Sequence, residues 1–149
     1  MANKRNLQPL LDVRQNQLDF IFSASDSLDT KALAVLGFDT AIVIFALQSL
    51  TTAPLWLLLP VLFLFLPSLI YAVLVIWPQD YRGSSVTPLE HPDYLAMSED
   101  QLVLQLLADT EKAITLNTPL NNKKSRYCIR AILISLAGVI LLIPCIIKA

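Results

Sequence analysis

Between Ala32 and Trp77 the chain runs for 46 residues without a lysine or arginine, and Asp39 is the only acid among them. A second stretch, Ala131 to Ala149, carries Lys148 as its only charged side chain. Bilayer hydrocarbon is about 30 Å thick, so a helix needs roughly 20 apolar residues to cross it. The first stretch is long enough for two crossings, and Ser49-Leu-Thr-Thr-Ala-Pro54 interrupts it where a turn is needed. Pro54 suits the first turn of a helix, where its missing N–H costs nothing. The predicted spans are 32–50, 55–77 and 128–147. The fold class that follows is all-α, with three transmembrane helices arranged as a hairpin plus a third span. A cleaved signal peptide does not fit, because the sequence before Ala32 is too long and too charged and no small-residue cleavage site follows.

Composition narrows the function. Hydrophobic residues make up 55% of the chain and charged residues 15%, whereas soluble domains carry about a quarter charged residues. Eleven basic against twelve acidic residues give a net charge of −1, which argues against a general nucleic-acid binder. One His and two Cys leave no material for a zinc site, a disulfide framework or a His-based catalytic triad. Cys128 and Cys145 on one helix are about 25 Å apart and cannot pair. Three Gly, with no Walker A or G-x-G-x-x-G pattern, leave no phosphate-cradling loop. No enzyme activity, metal or cofactor is expected.

The basic residues set the orientation. Lys4, Arg5, Arg14 and Lys31 precede the first span; Arg82, Lys112, Lys123, Lys124, Arg126 and Arg130 lie between the second and third or just inside the third. Ten of the eleven thus fall on one side, which the positive-inside bias assigns to the cytoplasm. The expected topology is an inner-membrane protein with its N-terminus cytoplasmic and its C-terminus periplasmic. Four regions result: a cytoplasmic amphipathic helix at 1–31, a transmembrane hairpin at 32–77, an irregular connector at 78–97, and a long helix at 98–149 that continues into the third span.

In the first region Leu7, Leu11, Leu18, Phe22 with Ile21, Leu28 and Ala32 recur at helical spacing. Too few basic and too many acidic residues accompany them for a helix lying flat on anionic lipid, so an upright helix running into span one is favoured. The connector carries Pro78, Gly83, Pro88 and Pro92, all breakers. Ser98 and Gln101 then read as a capping box. Val103, Leu106, Thr110, Ala113, Asn117 and Leu120 form a coiled-coil-like seam with two polar members, which would weaken it. Helices 7–31 and 99–126 would each rise roughly 35–40 Å as parallel cytoplasmic stalk extensions. Pro119 is expected to kink or break the second of them.

Asp39 is the intramembrane candidate, since an acid at the bilayer centre costs roughly 2.5–3.5 kcal/mol on insertion scales. It would line a pore or an oligomer contact; the alternative is shallow placement, or a bond to Thr40 or a neighbouring helix. Asn121-Asn-Lys-Lys-Ser-Arg126 with Arg130 is a basic cluster, suited to a phosphate, to anionic headgroups, or simply to orienting the third span. Pro60 and Pro67 would kink span two or serve packing. Tyr71, Trp56 and Trp77 fit interfacial or packing roles, and His91 is read as a loop residue.

Two stretches resemble a known family. Phe22-Ser-Ala-Ser-Asp-Ser-Leu-Asp-Thr-Lys-Ala-Leu-Ala-Val-Leu-Gly37 resembles the segment of Pycsar-type transmembrane effectors in which an "ADxKA" motif enters the first span; here it reads Leu28-Asp29-Thr30-Lys31-Ala32. Gln105-Leu-Leu-Ala-Asp-Thr-Glu-Lys-Ala-Ile114, followed by Asn117 and Lys124, resembles that family's helix leading into its last crossing. The resemblance implies a bacterial anti-phage effector of the inner membrane. Such proteins respond to a cyclic pyrimidine nucleotide, cyclic CMP or cyclic UMP, made by a partner nucleotide cyclase, and impair the membrane. It implies a homo-oligomer in membrane lipid whose sensor is built from the helices themselves. The ligand-binding candidates are then Asp29, Lys31, Lys112, Lys124 and Arg126. The competing readings are an accessory membrane subunit that docks a cytoplasmic partner through its stalk, and a holin-like lesion that needs no signal.

Overall fold

The structure, a computed structural model, describes residues 7–48, 55–83 and 97–147. Within them the chain forms three α-helices and no strand: α1 (Leu7–Gln48), α2 (Leu55–Ile76) and α3 (Glu99–Ile147). The turn expected at Ser49–Pro54 and most of the expected connector, His91 included, lie outside the described residues, as do the side chains of Trp56, Pro60 and Cys145. Among the described residues one helix, α3, is long and apolar enough to cross a membrane, with a mean hydropathy of 1.7 in its most apolar window. In α2 the run Leu62–Ile76 is apolar but shorter, and in α1 Asp39 and Thr40 dilute the apolar sequence.

The chain divides into two compact units, one of residues 1–25 and 79–122, the other of 26–78 and 123–149. In the first, Leu18 and Ile21 of α1 pack on Ala113 and Ile114 of α3, with Phe22 beside them. The helical spacing of these positions puts them on one stripe of each helix. Arg14 of α1 pairs with Glu111 of α3 at 3.0 Å, a half-exposed contact worth well under about 1 kcal/mol. At the start of α3 the Ser98 N–H donates to Gln101 Oε1 at 3.0 Å, the reach-back arm of the capping box. Glu99 and Asp100 in the first turn face the positive end of the helix dipole.

One expectation for this region needs correcting. Pro119 does not break the helix: α3 is continuous from Glu99 to Ile147. The residue whose carbonyl loses its partner is Thr115, four positions back; both residues are exposed, so water replaces the lost bond. Thr110 and Asn117, the polar members of the seam, both have hydrogen-bond partners. The Thr110 hydroxyl donates to the Leu106 carbonyl of its own helix at 2.7 Å. Asn117 accepts from the Arg82 N–H at 2.9 Å and donates Nδ2–H to the Arg82 carbonyl at 2.6 Å. Its side chain thereby clasps the backbone that follows α2, and the Tyr81 ring meets Phe22 edge-on at 6.1 Å.

The second unit buries polar groups beside an apolar core and exposes many large apolar side chains. Ala32, Val75 and Cys128 form its core with Leu28, Ile76 and Tyr127, yet Asp39, Ser68, Lys124 and Ser135 are buried beside them. Its surface carries Phe38, Phe45, Phe63, Ile70, Leu133 and Ile140, Phe63 being 80% exposed. In lipid, exposed apolar side chains cost nothing, whereas buried polar groups must find partners inside the protein. The Ser68 hydroxyl of α2 accordingly donates to the Ala131 carbonyl of α3 at 2.9 Å.

Gly138 shows how closely α3 meets α2. A Cβ there would lie 2.7 Å from Cζ of the fully buried Phe65 ring and 3.0 Å from Cε2. Gly138→Ala is expected to lower the melting temperature of the detergent-solubilised protein, with an overpacking cost of about 1–3 kcal/mol. Adding Phe65→Leu, which withdraws the ring tip, should recover most of the loss. An unchanged melting point in the single variant would show that the ring swings aside freely.

Candidate functional site

The chemistry-bearing side chains fall into separate groups. In the second unit Lys124 of α3 donates to both carboxylate oxygens of Asp29 of α1, at 2.7 and 2.8 Å. The Lys124 side chain is 6% exposed and that of Asp29 33%. Successive residues on a helix turn by about 100°, which points Lys124 inward while its neighbours face out. Lys123 sits over the Tyr127 ring at 5.9 Å and Arg130 over the Tyr71 ring at 5.7 Å, and the two rings lie 5.9 Å apart. The basic cluster therefore does not converge on one anion: three of its cations are held against protein groups. Arg126 and Lys31 are exposed. Tyr71, read from sequence as an interfacial or packing residue, is the platform for Arg130 and Tyr127.

Deeper in the same unit Asp39 is fully buried. The Ser135 hydroxyl and Asp39 Oδ1 are 2.6 Å apart, joining α1 to α3. Its second oxygen, Oδ2, is buried with no hydrogen-bond partner among the described residues. Of the placements weighed from sequence, this is the bond to a neighbouring helix, and it satisfies half of the carboxyl group.

Lys112 belongs to the first unit, where it lines a cleft of about 420 Å³ with Arg82, Gly83, Asp109 and Ala113. Lys112 and Asp109 are three residues apart on α3 and so share a face. The Gln105 side-chain amide donates to the Asp109 oxygens at 3.3 and 3.4 Å. Arg82 enters from the segment that Asn117 clasps. Both cationic side chains are exposed, and among the described residues neither has an ion-pair partner. A second depression of about 120 Å³ is lined by Leu7, Gln8, Glu99, Asp100 and Val103 and offers no cation.

Of the five ligand-binding candidates, then, the structure joins Asp29 to Lys124, leaves Lys31 and Arg126 exposed, and sets Lys112 in a cleft of its own unit. Sequence reasoning missed Arg82, Asp109 and Ser135. Arg82-Gly83 stood out only as a cation beside a breaker, and Ser135 only as a hydroxyl in an apolar run. Among the described residues no group of His, Cys, Asp and Glu is placed to hold a metal.

No curated protein and no solved structure matches the chain. Residues 15–148 match the Pycsar effector protein domain, a span that includes the Asp29–Lys124 pair, Asp39 with Ser135, and the cleft. With nearly the whole chain covered, and with an apolar α3 able to cross a membrane, this protein belongs to the Pycsar effector family, the downstream membrane effectors of an anti-phage defence signalled by a cyclase partner.

Proposed function

We propose that the protein is a three-span inner-membrane effector, held closed at rest, that a cyclic pyrimidine nucleotide switches to a state impairing membrane integrity. The observation that carries this reading is Asp39, fully buried in the second unit beneath exposed apolar side chains, with one carboxylate oxygen that has no hydrogen-bond partner among the described residues. A buried acid among spanning helices is expensive and marks ion paths or oligomer contacts. In the open state a second copy of the chain would supply the missing partner to Asp39 Oδ2, or water would, so the reading includes a homo-oligomer in lipid. The proposed regions are the helix at 1–31 and the connector at 78–97 in the cytoplasm, spans at 32–50, 55–77 and 128–147, and a periplasmic C-terminus. The nucleotide drives the change only by binding the open state more tightly than the closed one. No group in the chain is needed as a nucleophile or base; the protein acts by changing shape.

Energised inverted membrane vesicles, which present the cytoplasmic face, test this directly with a potential-sensitive dye. Collapse of the potential is expected only after cyclic CMP or cyclic UMP is added. Collapse before addition would overturn gating in favour of a constitutive lesion. A steady potential with both nucleotides, in vesicles shown to contain the inserted protein, would overturn the effector mechanism in favour of an accessory subunit.

A further inference from the structure

We propose that the cleft of the first unit is the trigger site: Arg82 and Lys112 take the phosphodiester of a cyclic nucleotide, and Asp109 takes a hydrogen-bond donor of its sugar or base. The identity of the ligand rests on the gating reading above; the place rests on the cleft itself. Its volume of about 420 Å³ lies within the roughly 300–1,000 Å³ of small-molecule sites. Its described lining sets two cations against one acid, a balance suited to the single negative charge of a cyclic phosphodiester.

The site is also largely built in advance. Asn117, fully buried, holds the Arg82 backbone through both its N–H and its carbonyl. Tyr81, the residue before, packs edge-on against Phe22. The guanidinium thus starts from a fixed backbone, so that binding has the side chains but not this backbone left to order. Lys112 and Asp109 rise from one face of α3, and the Gln105 amide steers the Asp109 carboxylate. An ionised carboxylate only accepts hydrogen bonds, so Asp109 selects a ligand edge that donates: a ribose hydroxyl, the cytosine amino group or the uracil N3–H. Arg82 supplies a planar fork for two phosphate oxygens and Lys112 a point charge. Among the described residues, a Cβ at Gly83 would meet nothing within 4 Å. Asp29 and Lys124, by contrast, already satisfy each other.

Binding of cyclic CMP and cyclic UMP to the full chain in detergent micelles, measured by calorimetry, tests the assignment. Arg82→Ala and Lys112→Ala are each expected to weaken binding by about ten- to hundredfold, the range for a charged hydrogen bond. Arg82→Lys should recover part of that loss, and Lys31→Ala in the other unit should leave Kd unchanged. Because both cationic side chains are exposed, the variants should keep the wild-type melting point. Wild-type binding that both cleft variants leave intact overturns the site while sparing the gating reading. Binding lost in Lys31→Ala but kept in the cleft variants overturns it too and moves the site to the second unit. A wild-type protein that binds neither nucleotide overturns the gating reading and the site together.

Discussion

Asp29→Ala should destabilise the second unit by about 3 kcal/mol, the lower end of the range for removing one partner of a buried ion pair. The Lys124 ammonium, 6% exposed, would be left without its carboxylate. Asp29 is itself a third exposed, so some water reaches the pair and the upper end of the range does not apply. The half-exposed Arg14–Glu111 pair provides the internal contrast: Glu111→Ala should cost under about 1 kcal/mol. Replacing both partners, Asp29→Leu with Lys124→Met, should recover most of the single-variant loss, because no buried charge is then left alone. Thermal unfolding of the four proteins in one detergent makes the comparison. A single variant within error of the wild type would mean that Lys124 reaches water and that the pair does not hold α1 to α3.

The same pair joins the two separate stretches that carry the family resemblance. Asp29 lies in the first, at the entry to the first predicted span, and Lys124 closes the second, 95 residues later. Each was legible as a charged residue near a membrane boundary, and each was therefore read as a ligand contact. Their partnership was not legible, because nothing local in a sequence says which of ten basic residues an acid will meet. The helices themselves were legible: unbroken apolar runs, a capping box and 3.6-residue spacing fix α1, α2 and α3 by local chemistry. The departures at Pro119 and Asn117 have physical causes that local rules do not carry. Of the kink or break that Pro119 predicts, the break does not occur: α3 is continuous, and the bond that proline removes falls at exposed residues. Asn117 reads from sequence as a polar member of a two-helix seam, and what the spacing does not show is the third segment that uses both ends of its amide. The cleft stayed hidden for the same reason, since Arg82 reaches Asp109 and Lys112 only through that long-range clasp.

Asp39→Leu should separate stability from activity, raising the first while abolishing the second. The gain comes from removing a carboxyl group whose burial costs up to roughly 2.5–3.5 kcal/mol at mid-bilayer. It is offset by loss of the Ser135 hydrogen bond, worth about 0.6 kcal/mol on average in membrane helices. Since Oδ2 has no partner to lose among the described residues, the balance favours the leucine variant by up to about 2–3 kcal/mol on these scales. Ser135→Ala removes the one bond but keeps the acid, so it should lower the melting point slightly and leave the nucleotide-dependent collapse of membrane potential in place. Asp39→Asn, similar in shape, should melt near the wild type and lose the response if the carboxylate itself serves the open state. Proteins commonly hold such destabilising groups where function requires them. A leucine variant that melts lower than the wild type would instead make the Asp39–Ser135 contact a structural tie between α1 and α3. One that melts higher and still collapses the potential would remove Asp39 from the mechanism, leaving the open path to be sought at Ser68 and the α2–α3 contact.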